Sequence, residues 1–453
     1  MWTFDQLKQQ LTQRKNVKSF ILTQENVHRR ERYFLLDGET LIADQDRDVN
    51  SQSIEAKIFV DLPRPGRQGE ISKKLFKTMP LAPQLDSAVE AALQTDHQAW
   101  ELPTEIATEL PQLRTSDPRM AEDLESVVKE ATDRIKKAVS KKRTTVFNSA
   151  ELFLSVHDRE LHLSNGLVHR SAQSRIYVES AYSFSKRDAA GNPRSDEYLN
   201  TQWAVSLADL PLEKLFDDTS DRAENSLVDQ KPETGKYSVI IDADVLTTLL
   251  TGYVAQLTSA HAYHGLPFIK PEEEWIKHAQ GDLITLTLDP FLEFGADTTA
   301  LSEQGMKQSP LKLVENNRVV ATATSKQYAD YLGTKANTVR GNVVVDAGTS
   351  SFHDLTQQAP KVIEILQFSG LFADSNSGTF SSEIRLARLY DNEKKTITYL
   401  KGGSLSGNIQ ENFKGIRLSK NRVKRSYFSA NQQQGQGYFG PEFALLSEVS
   451  IVG

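Results

Sequence analysis

One dipeptide, Asn165-Gly166, most constrains how the first half of this chain folds. It lies within ELFLSVHDRELHLSNGLVHRSAQSRIYVESAYSF, where strand-forming runs stand on both sides of it. Asn-Gly suits a tight hairpin turn with positive φ, so the two runs are predicted to pair as antiparallel strands. We therefore expect an antiparallel sheet over about residues 144–184.

The segment before this sheet carries a clear helical pattern. Asp117-Pro118 is a predicted N-cap followed by a first-turn proline. Apolar residues then recur at three- and four-residue intervals, at Leu124, Val127, Val128, Ala131, Ile135 and Val139. Strand-like runs come earlier, at residues 19–23, 31–36 and 54–60. Helices facing strands in this order predict an α+β first domain, residues 1–208, rather than alternating βαβ units.

The second half of the chain has a different pattern. Residues 209–235 are polar and acidic, and we interpret them as a linker to a second domain, residues 236–453. There a strand at 237–241 and a long helix are followed by many short β-rich runs, with another helix predicted near 354–366. Short strands with Gly- and Asn-rich turns favour a curved or barrel-like sheet, because closure removes exposed edges. The predicted fold class is α+β, with a mainly β C-terminal domain.

Composition excludes several classes of function. The chain has 453 residues, a net charge of -7 at pH 7 and no cysteine. Nucleic-acid binding needs a Lys/Arg-rich face, so the negative net charge argues against it. Without cysteine there is no disulfide, thiolate nucleophile or thiolate metal ligand. No apolar run approaches the ~18 to 20 residues of a membrane helix, and MWTFDQLKQQLTQRK does not have the pattern of a secretion signal. We expect a cytoplasmic protein with no nucleic-acid or membrane partner.

The helix expected after residue 242 ends in a possible metal-binding pattern, His261-x-x-His264. Two imidazoles at this spacing can face the same way, but catalytic zinc needs three protein ligands and a water. No third ligand is evident in the sequence. We interpret His261 and His264 as surface or packing histidines, and a substrate contact stays open for both.

The glycine-rich segment GGSLSGN, residues 402–408, does not match a known catalytic motif. It has no Gly-x-Ser-x-Gly elbow to expose a serine nucleophile, and no Lys-Ser/Thr pair to complete a phosphate-binding loop. Its glycines indicate tight turns. A second interpretation stays open, in which Ser404 and Asn408 lie on a lip that contacts a ligand in a channel.

Eight short segments share a recognisable pattern and order. They are IEAKIFVDL (54–62), LHLSNGLVHRS (161–171), PETGKYSVII (232–241), GDLITLTLDP (281–290), SEQG (302–305), TSKQYADYLG (324–333), GTFSS (378–382) and KGGSLSGNI (401–409). Together they resemble the TldD/PmbA family, also called the modulator of DNA gyrase family. The resemblance covers nearly the whole chain.

This resemblance implies a fold, an assembly and a chemistry. Family members combine an N-terminal α+β domain with a barrel-like C-terminal domain, and their dimers enclose a channel for extended peptides. One branch carries His-Glu-x-x-x-His on the helix after the strand that corresponds to residues 237–241, and a later Cys completes a zinc site. The other branch lacks these residues. Here the three motif positions hold Thr251, Gly252 and Gln256.

The resemblance therefore implies the PmbA/TldE-like branch, a non-catalytic subunit of a metalloprotease complex for peptide processing or proteolysis. We expect no catalytic, cofactor or metal residues in this chain, and zinc in a TldD-like partner. A homodimer or a heterodimer remains open, and the expected substrate is an extended or unfolded peptide. Two alternative functions also remain: a non-proteolytic regulatory protein of the gyrase-modulator type, and a homodimeric hydrolase of unknown chemistry.

Overall fold

A long antiparallel sheet forms the first half of the molecule. The computed structural model describes residues 2–429 and 435–453. The strands of this half are β1 (Val17–Asp37), β2 (Thr40–Asp61), β3 (Arg67–Leu75), β4 (His97–Gln98), β5 (Val146–Leu163), β6 (Val168–Arg187) and β7 (Pro193–Ala204). They lie in the order β7-β6-β5-β1-β2-β3-β4, and each is antiparallel to its neighbours.

The predicted hairpin is confirmed as the turn between β5 and β6. Gly166 has φ 97°, and the side-chain oxygen of Asn165 accepts a hydrogen bond from the Leu167 N–H at 3.0 Å. The two strand-like runs predicted at 19–23 and 31–36 are parts of the single strand β1. The polar residues between them stay in strand conformation because both β2 and β5 pair with this stretch of backbone.

Helices cover one face of this sheet. They are α1 (Phe4–Gln13), α2 (Leu81–Leu93), α3 (Pro118–Glu122), α4 (Leu124–Val139) and α5 (Leu212–Glu224), with a 3-10 helix at Leu207–Asp209. The helix predicted after Asp117-Pro118 is interrupted at Asp123, which has φ -151° and caps α4 by accepting from the Ser126 N–H at 3.0 Å. α5 lies within the segment interpreted as a linker and packs in the core of the first half through Leu215 and Phe216. The domain limits stay a prediction.

The second half adds a barrel and further strands of the long sheet. Its strands are β8 (Gly235–Asp242), β9 (Leu286–Asp289), β10 (Leu311–Glu315), β11 (Arg318–Val319), β12 (Asn342–Val345), β13 (Lys361–Phe368), β14 (Phe372–Ala373), β15 (Thr379–Asp391), β16 (Thr396–Leu400), β17 (Ser404–Asn408), β18 (Arg417–Leu418), β19 (Arg422–Phe428), β20 (Gly435–Pro441) and β21 (Phe443–Val452). Its helices are α6 (Ala243–Val254), α7 (Ser259–His264), α8 (Lys326–Leu332), α9 (Phe352–Thr356) and α10 (Ile409–Asn412), with a 3-10 helix at Ala255–Leu257. In residues 2–429 and 435–453, no helix has the length and apolar character needed to cross a membrane.

Five strands of the second half close into a barrel, in the order β13-β8-β21-β17-β15. β8 is parallel to β13, the other pairs are antiparallel, and β15 pairs back with β13 to complete the circle. Closure gives each of these strands a hydrogen-bonding neighbour on both sides. The predicted fold class, α+β with a barrel-like C-terminal domain, is confirmed.

The strand that completes the barrel is where the sequence prediction is wrong. The sequence predicts a helix near residues 354–366, but α9 ends at Thr356 and residues 361–368 form β13. Val362 to Leu366 are all buried, because β13 lies between β8 and β15 inside the barrel wall. A short apolar run of this kind cannot be distinguished from a buried helix by periodicity alone.

The barrel and the long sheet enclose α6 between them. α6 contacts β8 and β21 of the barrel, and also β12, β19 and β20 of the long sheet. The long sheet continues from the first half into the second through β7 and β19, where Trp203 pairs with Ser426, and it then runs β20-β12-β9-β10-β11. The position of α6 is therefore determined by both the barrel and the long sheet.

Acidification is expected to weaken the contact between α4 and α5. Arg134 of α4 donates to both carboxylate oxygens of Glu213 of α5, at 3.2 and 2.8 Å, and this lowers the pKa of Glu213 from 4.5 to about 2. Because the folded-state pKa is lowered, the stabilisation is complete above the unfolded-state pKa and is lost as the pH falls through the folded-state pKa, from about 4.5 towards 2.

A double-mutant cycle with Arg134→Met and Glu213→Gln, measured by urea unfolding, tests this expectation. The coupling free energy should be at most about 1 kcal/mol at neutral pH, because both side chains are partly exposed, and smaller at about pH 3. A coupling that does not change between these two pH values would contradict the assignment.

Candidate functional site

Helix α6 carries the three motif positions and begins directly at the end of barrel strand β8. The carboxylate of Asp242, the last residue of β8, caps the helix by accepting from the N–H groups of Asp244 and Val245, at 3.1 and 3.0 Å. One side of the helix is an apolar stripe that faces the core, and its residues Leu246, Leu249, Leu250 and Tyr253 are at most 2% exposed. The cap and the stripe together fix the rotation of the helix.

Gln256, at the position of the second motif histidine, has a structural role. It lies in the 3-10 helix after α6 and is 5% exposed. Its Nε2 donates to the carbonyl oxygens of Ser375 and Asn376, at 2.6 and 3.0 Å. Removing a buried hydrogen-bonding group leaves its partners unsatisfied, so this amide is committed to the turn between β14 and β15.

The residues at the motif positions do not fit a zinc ion. Gly252 has no side chain, and a Cβ built there would meet no described atom within 4 Å. The Oγ1 of Thr251 is buried and has no hydrogen-bond partner among the described residues. Zinc in proteins takes His, Cys, Asp or Glu ligands, which none of these residues provides. Across residues 2–429 and 435–453, no group of three or more His, Asp or Glu residues is arranged to hold a metal.

The turn between β14 and β15, residues 374–378, packs against the end of α6. Asp374 accepts from the Ser377 Oγ at 2.6 Å and from the Asn376 N–H at 3.0 Å, and these bonds lower the pKa of its carboxyl group. Gly378 has φ 69°, and a Cβ there would lie 3.3 Å from the ring of Tyr253. The glycine of the GTFSS segment is therefore required by a close approach to α6.

Of the two predicted channel contacts in the glycine-rich segment, only Asn408 lies at this turn. Its Nδ2 donates to the Ser377 carbonyl at 2.8 Å, and its Oδ1 accepts from the Gln410 N–H at 2.9 Å, which caps α10. Ser404 is exposed at the opposite end of β17. Four strand steps separate the two residues by about 13 Å. A substrate contact stays a prediction for both.

A cavity of about 570 Å³ lies beside the end of α6. Gln410 connects two of its walls, because its Nε2 donates to the Tyr253 hydroxyl and, at 2.6 Å, to the Trp275 carbonyl. The rim carries charges of both signs, at Glu273, Glu274, Lys277, Glu411 and Lys414. Amide groups and mixed charges of this kind can hydrogen-bond to a polar chain.

His261 and His264 lie on a separate helix and not at the end of α6. The sequence predicts one continuous helix through both, but Thr258 leaves the helical conformation, with φ -111° and ψ 148°, and caps α7. A ring nitrogen of His261 hydrogen-bonds with the Pro267 carbonyl at 2.9 Å. A ring nitrogen of His264 hydrogen-bonds with the Tyr328 hydroxyl at 3.0 Å. These contacts give both imidazoles packing roles, and a substrate contact by either stays a prediction.

Two residues that organise this site were not identified from the sequence. Asp374 begins the run Asp-Ser-Asn-Ser-Gly, whose composition is typical of an Asx turn, so a turn-based search could have found it. Gln410 has no such signal, because its partners Tyr253 and Trp275 are more than a hundred positions away in the chain.

A comparison with known proteins finds sequence similarity over the second half of the chain and structural similarity over nearly the whole chain. Residues 234–453 match the family model of the PmbA/TldA metallopeptidase C-terminal domain. A protein from Bacteroides thetaiotaomicron, described as a candidate modulator of DNA gyrase, has a crystal structure with a TM-score of 0.75 and 15% identity, covering 100% of this chain and 99% of that chain.

Two further crystal structures share the fold over the full length. A candidate modulator of DNA gyrase from Thermotoga maritima has a TM-score of 0.71 and 19% identity, covering 100% of both chains. TldE from Thermococcus kodakarensis has a TM-score of 0.69 and 14% identity, covering 99% of this chain and 98% of that chain. No curated protein sequence matches the chain. At these identities the structures establish the fold and not the activity.

Replacing Gln256 with Ala is expected to destabilise the protein and loosen the turn at residues 374–378. Two carbonyl groups lose their donor, so the free energy of unfolding should fall by about 1 to 3 kcal/mol. Denaturant unfolding measures the loss, and hydrogen exchange at Gly378 measures the loosening. Gln9→Ala, at an exposed position of α1, is the control and should change neither quantity. Equal behaviour of the two variants would contradict a structural role for Gln256.

Proposed function

Because the chain belongs to the TldD/PmbA family, we propose that it is a non-catalytic subunit of a metalloprotease complex of this family. In this proposal it acts in the cytoplasm and shapes a channel for extended or unfolded peptides. A TldD-like partner, with His-Glu-x-x-x-His on the helix equivalent to α6, supplies the zinc ion and the hydrolytic step. This chain itself contributes substrate binding and positioning.

The observation that carries the proposal is the chemistry at the three motif positions. A hydroxyl, a missing side chain and a buried amide stand at Thr251, Gly252 and Gln256, and the chain has no cysteine. The amide of Gln256 is also occupied by the turn at residues 374–378. In this proposal, the fold of the family is kept while the groups that hold a metal and activate water are replaced at these positions.

A short edge strand next to this turn supports a role in peptide binding. β14 is the terminal strand in the order β13-β8-β21-β17-β15-β14, and residues 374–378 follow it directly. Phe372 of β14 is 76% exposed. An extended peptide can add to such an edge through main-chain hydrogen bonds, which give affinity with little demand on sequence. The exposed phenyl ring provides an apolar contact for a side chain of that peptide.

Purified alone, the chain is expected to contain no stoichiometric zinc and to leave unfolded casein intact. Hydrolysis should appear when a family member with His-Glu-x-x-x-His from the same cell is added. Elemental analysis and native mass spectrometry measure the bound zinc, and a casein assay measures hydrolysis with and without the added family member. Zinc that survives chelation together with casein hydrolysis by the lone chain would contradict the proposal, and so would isolation of the chain with gyrase subunits and no metallopeptidase.

Replacing Phe372 with Ala is expected to raise the KM of the reconstituted complex for unfolded casein several-fold with little change in kcat. The reason is that the edge strand would take part in binding and not in the chemical step. Ile397→Ala is the matched control, because Ile397 is also an exposed apolar residue, 61% exposed, on a strand that pairs with β15. An equal change in both variants, or a change in kcat alone, would count against peptide addition at β14.

A further inference from the structure

A second cavity, of about 890 Å³, lies on the face of the first-half sheet that is turned away from α4 and α5. Its floor is formed by β5 and β6, and its roof by residues 111–118 and 294–300. The roof is fastened to the floor by hydrogen bonds. The Thr115 hydroxyl donates to the Ala172 carbonyl at 2.5 Å, and the Gln173 side chain donates to the Ala296 carbonyl at 2.9 Å. The cavity is therefore formed before any ligand binds.

The lining of this cavity is strongly cationic. It contains five guanidinium groups and two imidazoles, from Arg114, Arg159, Arg170, Arg175, Arg340, His157 and His169. Glu25 is the one carboxylate among the described lining residues, and it pairs with the Nδ1 of His157 at 3.0 Å. The charge that faces the cavity suits an anionic ligand.

Carboxylates outside the lining hold several of these guanidinium groups in place. Glu303 accepts from Arg159 at 3.1 Å, and Asp297 accepts from the Nε of Arg340 at 3.0 Å. A guanidinium has five N–H donors, so one carboxylate engages only part of it. The Nε–H of Arg159 is buried and has no partner among the described residues. Guanidinium groups positioned in this way are ready to bind a carboxylate or phosphate.

Burial and neighbouring guanidinium groups both lower the pKa values of the two imidazoles in the lining. Burial lowers the pKa of His157, the hydrogen bond with Glu25 offsets part of this effect, and the nearby Arg175 lowers the pKa further. Burial likewise lowers the pKa of His169, and Arg159 adds to the effect. An anion bound between these groups would favour the protonated imidazoles and raise both pKa values.

The sheet face next to the cavity favours a peptide over a nucleic acid as the ligand. A row of aromatic rings crosses four strands with centroid separations of 5.3, 5.3 and 4.7 Å, at Tyr33, Phe153, Tyr177 and Trp203. Beyond this row, Glu151 and Glu179 lie directly opposite each other on β5 and β6. Aromatic rings can stack on bases, but a phosphate backbone that crosses the row would meet these carboxylates. A peptide of mixed side chains has no such conflict.

We propose that this cavity is a carboxylate-binding site for an acidic peptide segment. Asp or Glu side chains of the peptide pair with guanidinium groups that include Arg159 and Arg170, and adjacent apolar side chains lie on the aromatic row. The inference rests on the proposed peptide-binding function and extends it to a substrate class. It requires no catalytic partner, so it can be tested on the purified chain alone.

Binding of labelled peptides to the purified chain, measured by fluorescence anisotropy, tests the proposal. The probes are three peptides of equal length that differ only in having Glu, Gln or Lys at alternate positions. The Glu peptide should bind about tenfold more tightly than the Gln peptide, which corresponds to the loss of one charged hydrogen bond, and the Lys peptide should bind weakest. The affinity for the Glu peptide should fall with increasing salt.

Two variants locate the binding to the cavity. Arg170→Gln removes an exposed lining guanidinium that pairs with Glu160 at 2.7 Å, and it should weaken binding of the Glu peptide several-fold. Arg64→Gln is the matched control, because Arg64 is 72% exposed, pairs with Asp96 and lies outside the cavity. It should leave the affinity unchanged. Because Arg170 is 75% exposed, its replacement should not affect folding, which thermal unfolding verifies.

Several outcomes would overturn the proposal. Equal binding of the Glu and Gln peptides would do so, as would an equal effect of Arg170→Gln and Arg64→Gln. If inorganic phosphate displaced the labelled Glu peptide as readily as the unlabelled Glu peptide does, the cavity would be a general oxyanion site. If a single-stranded oligonucleotide bound more tightly than the Glu peptide, it would be a nucleic-acid site. Partner-dependent hydrolysis, with no zinc in this chain and no selective binding of the Glu peptide, would reject this inference alone and leave the proposed function standing.

Discussion

The closure of the barrel by β13 fixes the strand that leads into α6. β13 pairs with β8 on one side and with β15 on the other, and β8 leads directly into α6. The wall contains a buried carboxylate, Glu364, which accepts from the Tyr390 hydroxyl at 2.8 Å and lies 3.4 Å from Arg388. Burial raises the pKa of Glu364, so these two partners are what make a carboxylate tolerable inside the wall. The direction of α6, and with it the motif positions, depends on this arrangement.

The end of α6 is organised by side-chain amides that hydrogen-bond to the backbone of a turn. Gln256 and Asn408 both donate side-chain amide protons to the turn at residues 374–378, from opposite sides. A metal ligand must direct its lone pairs into an open site, whereas these amides satisfy backbone carbonyls. Structures with 14–19% identity share this fold over nearly their full length, and the fold by itself does not specify the chemistry at the end of α6.

Local signals in the sequence predicted some of these features and missed others for identifiable reasons. Asn165-Gly166 specifies its own turn, and the stripe on α6 follows from helical periodicity, so both were predictable. β13 was not, because an apolar run inside a barrel wall has no alternation to distinguish it from a helix. The break at Asp123 was missed because the apolar spacing continues through it. The cationic cavity joins Arg159 and Arg170 of the β5–β6 hairpin with Arg340, which is distant in the chain, and that juxtaposition depends on the assembled fold.

The long sheet consists of two sets of paired strands, which join where Trp203 of β7 pairs with Ser426 of β19. At this junction of β7 and β19 a single residue pair joins the two backbones, and the ring of Trp203 packs across it, 5.6 Å from the ring of Phe428. Because Trp203 also ends the aromatic row and lines a cavity of about 500 Å³ together with Asp244 and Val245 at the start of α6, a small rotation at the junction of β7 and β19 would change the shape of that cavity.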